Sequence, residues 1–344
     1  MTHAATDYAQ QAAEVTKAFV ADYSRNDGLF AHSRKDRNAD FMWGNGVTFS
    51  ALVGAAKHDK QYRPRLSQFF TAMDRYWDKL APVPGYEPAP TKGRGNDKYL
   101  DDNAWMVLTF LEAYDLTKDK RYLEKSKAAL KFVLSGEDDV LGGGIWWHEK
   151  HKDDSKNTCV VAPAAVACLR LADYLPKKEA DEAVATAKRL IEWTTTKLRL
   201  ENGLFADKID TKGKVERTTW TYNTGLMIRA YAGLYRHTKD AKWLDEAKAT
   251  AKAAGQLIDQ KHNAYRDGFK FTHLLVEADC ELYRMTGDTT LLDRARANAD
   301  YAYADWKARP HNELIENSSI ARLLWVVADA GIENRGPASG NAVK

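Results

Sequence analysis

The sequence predicts an all-α protein, an (α/α)6 toroid built from six helical hairpins. Three observations predict it: a short polar turn recurs along the chain, longer loops alternate with these turns, and the helical segments between them alternate between apolar and amphipathic. A helical hairpin that repeats every ~50 to 60 residues is typical of a helical array. We therefore expect one catalytic domain over residues 1–334 and a disordered tail over 335–344, although length alone suggests about two domains.

The short turns share an aspartate that is followed by an aromatic residue or leucine just inside the next helical segment. They lie around Asp59, Asp119, Asp240 and Asp288, with a weaker copy near Pro176. Aspartate is a favoured N-cap residue because its carboxylate accepts backbone N–H groups of the first helical turn. Each turn therefore predicts the start of a helix.

The longer loops are rich in glycine, asparagine and aromatic residues. Segments after them are apolar nearly all round, whereas segments after the short turns are amphipathic, so we expect six inner and six outer helices. The one competing strand signal, Thr158–Val161, precedes Pro163 and an alanine-rich run, which favours a helix. The loops span 26–44, 81–100, 138–157, 201–220, 262–272 and 308–317. The apolar segments are Val47–Ala56, Ala104–Tyr114, Val160–Leu171, Leu226–Leu234, Leu274–Tyr283 and Ile320–Val327.

Alternating hairpins place all long loops at one end of the toroid, where the second loop ends in the pair Asp101 and Asp102. A carboxylate at a helix start accepts N–H bonds and prefers to be ionised. Like-charge repulsion raises the pKa of its neighbour. Adjacent carboxyl groups with different pKa values suit the acid and the nucleophile or base of glycoside hydrolysis. The alternative is that this pair only caps the helix.

Other residues of the long loops are expected to converge on the aspartate pair and bind substrate. Trp146 and Trp147 follow three glycines, where the backbone can approach a ligand and an indole can stack on a sugar. The alternative is a glycine turn followed by two packing aromatics. The polar candidates are equally typical of helix caps, as is Asn317. The remaining candidates are Trp43, Asn45, Asn103, Lys156, Asn157, Asp207, Trp220, Tyr222 and Asn223.

Four motifs together resemble glycoside hydrolase family 76, the α-1,6-mannanases of bacteria and their fungal cell-wall relatives. The resemblance implies a retaining double displacement on α-1,6-mannosidic bonds with endo action, in which Asp101 is the nucleophile and Asp102 the general acid/base. Departures occur at Val161 and Thr224, where the family often carries Asn and Gln, and after Phe269-Lys270. The motifs are Tyr99–Trp105 with Leu111–Tyr114, Gly142–Trp147, Lys156-Asn157 and Tyr222–Gly225.

Other activities share this toroid, because fold alone does not fix function. A transglycosylase acting on the same glycans would use the same two aspartates. A sugar epimerase would use histidines at the mouth. A non-catalytic glycan-binding scaffold would keep the aromatic residues, but an adjacent pair of like charges would contribute little to sugar binding. The histidines in or beside the long loops are His148, His151, His262, His273 and His311.

Charge and cysteine content exclude several classes. Lys+Arg 51 against Asp+Glu 48 leaves a formal charge of +3, so neither nucleic acid nor an anionic membrane surface is indicated. Cys159, Cys168 and Cys280 lack metal-ligand spacing and are expected to be small buried residues or free thiols. His148 and His151 are three apart, not four as in zinc proteases, so we interpret them as solvated loop residues and expect no metal or other cofactor.

No membrane span is predicted, because the longest apolar run, Cys159–Leu169, is about half the necessary length. The first residues lack a basic segment followed by an apolar one, so no secretion signal is visible. A cytoplasmic location is expected if Met1 is the native start, and a secreted or periplasmic one if a signal peptide was removed. A toroid buries its own core, so we expect a monomer whose partner is an oligo- or polysaccharide.

Overall fold

A computed structural model describes residues 6–80, 82–91 and 93–332 of the chain. Within these residues the chain forms twelve α-helices. The predicted tail over 335–344 lies outside the described residues. The helices are α1 (Tyr8–Tyr23), α2 (Met42–His58), α3 (Tyr62–Ala72), α4 (Leu100–Thr117), α5 (Lys120–Leu134), α6 (Thr158–Ala172), α7 (Lys177–Leu198), α8 (Thr221–Thr238), α9 (Ala241–Ala253), α10 (Phe269–Thr286), α11 (Thr289–Ala308) and α12 (Leu314–Ile332).

The even-numbered helices form a closed inner ring. Each contacts the next along the chain, and α12 contacts α2, while the odd-numbered helices pack outside them. Fourteen of the 15 residues of α6 are buried, against six of the 22 residues of α7, as expected for an inner and an outer helix. The predicted (α/α)6 toroid is confirmed, and Thr158–Val161 is helical. Within the described residues, each helix is too short or too polar to cross a membrane.

The short turns begin the outer helices as predicted. Asp119, Asp240 and Asp288 each accept a backbone N–H of the following helix through the side chain. The residue before each aspartate has a positive φ, which ends the preceding inner helix. These residues are Lys118, Lys239 and Gly287, with φ of 58°, 58° and 73°.

The long loops carry short antiparallel strands, which the sequence does not predict. Strands of two or three residues show no alternation of their own and depend on pairing with a distant partner. In the largest of these sheets, β3 (Ser155–Asn157) pairs with β4 (Lys208–Asp210), so the third long loop is tied to the fourth. The others are β1 (Trp77–Asp78) with β2 (Gly85–Tyr86), β5 (Val215–Glu216) with β4, and β6 (Ile258–Asp259) with β7 (Ala264–Tyr265).

Candidate active site

The aspartate pair lies inside the first turn of α4, at the end of the ring that carries the long loops. The helix begins at Leu100 and its N-cap is Tyr99, so neither Asp101 nor Asp102 caps it. The capping alternative for this pair is therefore wrong. The same correction applies to two other suggested caps, because α2 begins at Met42 and α12 at Leu314, which places Asn45 and Asn317 inside their helices.

Hydrogen bonds from three directions fix the carboxylate of Asp101. Its Oδ1 accepts the backbone N–H of Asp102 at 2.9 Å. Its Oδ2 accepts the indole Nε1–H of Trp147 at 3.0 Å and faces the thiol of Cys159 at 3.6 Å. The third long loop and α6 therefore both hold this side chain, and Cys159 joins the site although the sequence suggested only a buried residue or free thiol.

The two carboxyl groups have different proton affinities. Burial raises the pKa of Asp101 to about 6, while hydrogen bonds from Trp147 and the Asp102 amide act in the opposite direction. Burial and the negative charge of Asp101 raise the pKa of Asp102 well above its ordinary value. Burial thus outweighs the helix N-terminus for Asp101, but the expected order holds: Asp101 ionises first and Asp102 keeps its proton.

A second polar group comes from the fourth long loop and α8. The carboxylate of Asp207 accepts hydrogen bonds from Asn223 Nδ2 at 3.3 Å and from the hydroxyl of Tyr222 at 3.4 Å. Burial raises the pKa of Tyr222, and the charges of both Asp207 and Asp101 contribute to this increase. Tyr222 therefore lies within electrostatic range of both Asp207 and Asp101, and it connects the fourth loop to the aspartate pair at the start of α4.

Four partly exposed rings form what we call the aromatic strip, made of Trp43, Phe271, Trp220 and Tyr222. Phe271 is its centre: its ring centroid lies 5.6 Å from that of Trp43, 5.3 Å from Trp220 and 5.1 Å from Tyr222. The amino group of Lys270 lies 5.5 Å from the Phe271 ring. Flat apolar faces of this kind suit the C–H face of a sugar. The strip brings together three predicted residues, whereas Phe271 was not among the candidates.

Trp146 and Lys156 have structural roles instead of the predicted role in substrate binding. Both are fully buried, and both bond to the carboxylate of Asp138, Trp146 through Nε1 at 2.6 Å and Lys156 through Nζ at 2.6 Å. The Lys156 amino group also donates to the carbonyls of Val140 and Gly143 at 2.8 and 2.7 Å. These bonds hold the third long loop in shape, and of the two neighbouring tryptophans only Trp147 reaches Asp101.

The two predicted asparagines Asn103 and Asn45 likewise bond to backbone. Asn103 is fully buried, accepts the N–H of Tyr86 at 2.7 Å and donates to the Tyr86 carbonyl at 3.0 Å, which anchors β2. The buried Asn45 amide donates to the carbonyl of Asp40 at 3.1 Å. Neither side chain has the exposure that a substrate contact needs. Asn157 is the N-cap residue of α6 and accepts a hydrogen bond from the Ser155 hydroxyl at 2.8 Å.

Comparison with known proteins identifies the family. A family model described as glycosyl hydrolase family 76 matches residues 7–281. A search of curated protein sequences finds no match. Among solved structures, an α-mannanase of this family from Bacteroides thetaiotaomicron is 26% identical with a TM-score of 0.86, over 95% of this chain and 96% of that chain.

Two further structures support the same fold. A family 76 mannosidase from Bacteroides thetaiotaomicron is 21% identical, with a TM-score of 0.84 over 96% of this chain and 100% of that chain. An α-1,6-mannanase from Salegentibacter is 23% identical, with a TM-score of 0.80 over 94% of this chain and 100% of that chain. That structure is of an inactive variant in complex with α-1,6-mannotriose. Since the family model covers most of the chain, this protein belongs to glycosyl hydrolase family 76 and is a glycoside hydrolase.

Proposed function

We propose that the protein cleaves internal α-1,6-mannosidic bonds of α-mannan or mannosylated glycans with retention of anomeric configuration. One observation carries the proposal: adjacent carboxyl groups at the mouth of the inner ring, of which Asp101 ionises before Asp102. A retaining glycosidase needs an ionised nucleophile beside a protonated acid, and the larger rise in the pKa of Asp102 supports this division of roles at the start of α4.

In the first step, the ionised carboxylate of Asp101 attacks the anomeric carbon and forms a glycosyl ester. The glycosidic C–O bond breaks at the same time, and Asp102 gives its proton to the departing oxygen. In the second step Asp102, now ionised, removes a proton from water, whose oxygen attacks the anomeric carbon and releases Asp101 as carboxylate. Trp147 stabilises the ionised form of Asp101 through its 3.0 Å hydrogen bond.

The substrate class rests on the comparisons and on the aromatic strip. Two of the similar structures are named α-mannanases, and one is bound to α-1,6-mannotriose. That variant is called inactive and carries asparagine in place of two aspartates adjacent in its own sequence. The aromatic strip, with Asp207 and Asn223 beside it, supplies stacking faces and hydrogen-bonding groups for sugar units next to the cleaved bond. We propose that the enzyme acts as a monomer.

Product analysis with linear α-1,6-linked manno-oligosaccharides tests the proposal. Wild type is compared with Asp101→Asn, Asp102→Asn and, as a control, Asp139→Asn, which changes an exposed aspartate of the third long loop. We expect short oligosaccharides from wild type and the control and none from the first two variants. NMR of the first product should show the α-anomer.

Each other outcome contradicts a specific part of the proposal. Mannose as the only product would replace endo action with exo action, and products longer than the substrate would indicate transglycosylation. A β-anomer as the first product would refute the double displacement. Activity that survives in Asp101→Asn and Asp102→Asn would remove this pair from the chemistry.

A further inference from the structure

Outside the catalytic pair, three potential metal ligands converge at the junction of the second and third long loops. Asp97 Oδ2 lies 2.6 Å from Nδ1 of His151 and 3.3 Å from Nδ1 of His148. One ligand atom from each of the three residues falls within 4.8 Å of the other two. Ligand atoms around a tetrahedral zinc ion are ~3.3 Å apart, so small side-chain movements would make these distances fit.

The surrounding contacts orient these side chains. The backbone N–H of Lys150 donates to Asp97 Oδ1 at 3.0 Å, which leaves Oδ2 directed at the two imidazoles. The histidine rings meet at an interplanar angle of 79°, with centroids 5.2 Å apart, so they do not stack. His148 Nδ1 is buried and makes no hydrogen bond of good geometry. A buried nitrogen without a well-formed hydrogen bond is costly, and a bound cation would satisfy it.

We propose that Asp97, His148 and His151 bind one divalent cation of the zinc class, with water at the remaining position. Two imidazole nitrogens and one carboxylate oxygen are the ligand set that zinc accepts, whereas calcium and magnesium prefer oxygen ligands alone. His151 is exposed, which gives the ion a path from solvent. The sequence predicted no metal because the two histidines lack the spacing of zinc proteases. That spacing could not reveal the third ligand, Asp97, which comes from another loop.

The ion would stabilise the loop segments that support the catalytic pair. Asp97 stands four residues before Asp101, and His148 directly follows Trp147, whose indole bonds to Asp101. Next to the site, the buried amino group of Lys98 bonds to Glu149 at 2.8 Å, a second link between the same two loops. The cation is a structural clamp in this proposal, and it takes no part in the bond cleavage proposed above.

Calorimetric titration of untagged, chelator-treated protein with zinc chloride tests the site. We expect one Zn²⁺ per chain and a melting temperature that rises with zinc concentration. Asp97→Asn and His151→Ala should each weaken binding by ~10-fold or more. His262→Ala is the matched control, because His262 lies 3.8 Å from Asp259 and, among the described residues, no third ligand completes a cluster with this pair. It should bind zinc as wild type does.

Three results would overturn this proposal: no heat of binding, equal binding by all variants, or preference for Ca²⁺ over Zn²⁺. His151 is exposed, so His151→Ala should fold, and circular dichroism verifies this. Zinc binding is measured without substrate. Its failure therefore leaves the proposed hydrolysis intact, and loss of hydrolysis leaves the zinc result intact.

Discussion

The inner ring holds partly or fully buried carboxyl groups in two regions that differ in their neighbouring charges. At the mouth, Asp101 and Asp102 stand side by side, and among the described residues no lysine or arginine forms an ion pair with either. In a second region of the inner ring, Arg322 forms ion pairs with Glu112 at 2.6 Å and with Glu277 at 2.8 Å. Arg229 forms an ion pair with Glu277 at 3.1 Å. We call these last four residues the axial network.

The two regions differ in whether arginine side chains offset the burial of the carboxyl groups. In the axial network, burial raises the pKa of Glu277, but Arg229 and Arg322 overcome this effect and lower the pKa to about 2. Burial keeps the pKa of Glu112 above its ordinary value, although Arg322 acts in the opposite direction. At the mouth, burial and the neighbouring charge both raise the pKa of Asp102. A partly buried pair of carboxyl groups with no cation paired to it among the described residues costs stability, which is typical of functional sites. The axial network, in contrast, links α4, α8, α10 and α12 across the ring.

The largest expected effect comes from Asp102→Asn, which removes the proton donor from the mouth. Activity on α-1,6-linked manno-oligosaccharides should fall by ~10²–10⁴-fold, the range of general acid–base catalysis. The melting temperature at pH 7 should rise by a few degrees, because wild-type Asp102 is ionised in the unfolded chain and must take up a proton on folding, whereas asparagine need not. Initial rates and thermal unfolding measure the two effects.

The pH dependence of this stability gain identifies its cause. The pKa of Asp102 is higher in the folded state than in the unfolded chain, so wild type loses stability as pH rises above ~4. The advantage of Asp102→Asn should therefore shrink as pH falls toward 4. A variant less stable than wild type at pH 7 would contradict the contrast between the two regions.

In the axial network the corresponding change has the opposite effect. Arg322→Met removes the cation shared by Glu112 and Glu277, so the free energy of unfolding should fall by ~3–5 kcal/mol, as for other broken buried pairs. Urea unfolding measures this loss. Adding Glu112→Gln and Glu277→Gln to Arg322→Met should restore much of the stability. If the triple variant were no more stable than Arg322→Met, the loss of stability would come from altered packing and not from the unpaired charges.

A smaller effect concerns the hydrogen bond from Trp147 to Asp101. Trp147→Phe removes a donor to the ionised carboxylate, so the pKa of Asp101 should rise above about 6 by ~1 unit. The acid limb of the kcat/KM profile should move to higher pH by the same amount. Trp146→Phe is the matched control, because that indole bonds to Asp138. Trp146→Phe should lower stability and leave the acid limb unchanged. If the acid limb moved by the same amount in both variants, the shift could not be assigned to the Trp147–Asp101 hydrogen bond.

The sequence predicted the ring and singled out the aspartate pair because both depend on local patterns. Hairpin repeats, aspartate turns and all-apolar segments specify the alternation of helices, and the alternation alone places the long loops at one end. The sequence could not show which of Trp146 and Trp147 contacts the aspartate pair. The third loop turns the Trp146 indole toward Asp138 and the Trp147 indole toward Asp101. That choice depends on tertiary packing, which no spacing in the sequence records.

The same limit applies to the binding residues. Lys156 and Asn103 carry hydrogen-bonding groups in family-like motifs, but these groups bond within the protein: Lys156 to the Asp138 carboxylate and to backbone carbonyls, and Asn103 to backbone groups. Phe271 was missed for the opposite reason: its segment departs from the family pattern, and its own side chain carries no hydrogen-bonding group. Its position becomes visible only in the folded protein, where rings from the first and fourth long loops meet around it.

The smallest expected effect tests this missed residue. Phe271→Leu keeps an apolar side chain but removes the ring that contacts Trp43, Trp220 and Tyr222. Aromatic contacts contribute ~0.5–1.5 kcal/mol, so KM for manno-oligosaccharides should rise by ~2–12-fold with little change in kcat. Phe269→Leu is the matched control, because that ring packs on Tyr301, outside the strip. An equal KM in both variants would mean that sugar recognition depends on polar groups such as Asp207, and that the strip is only packing.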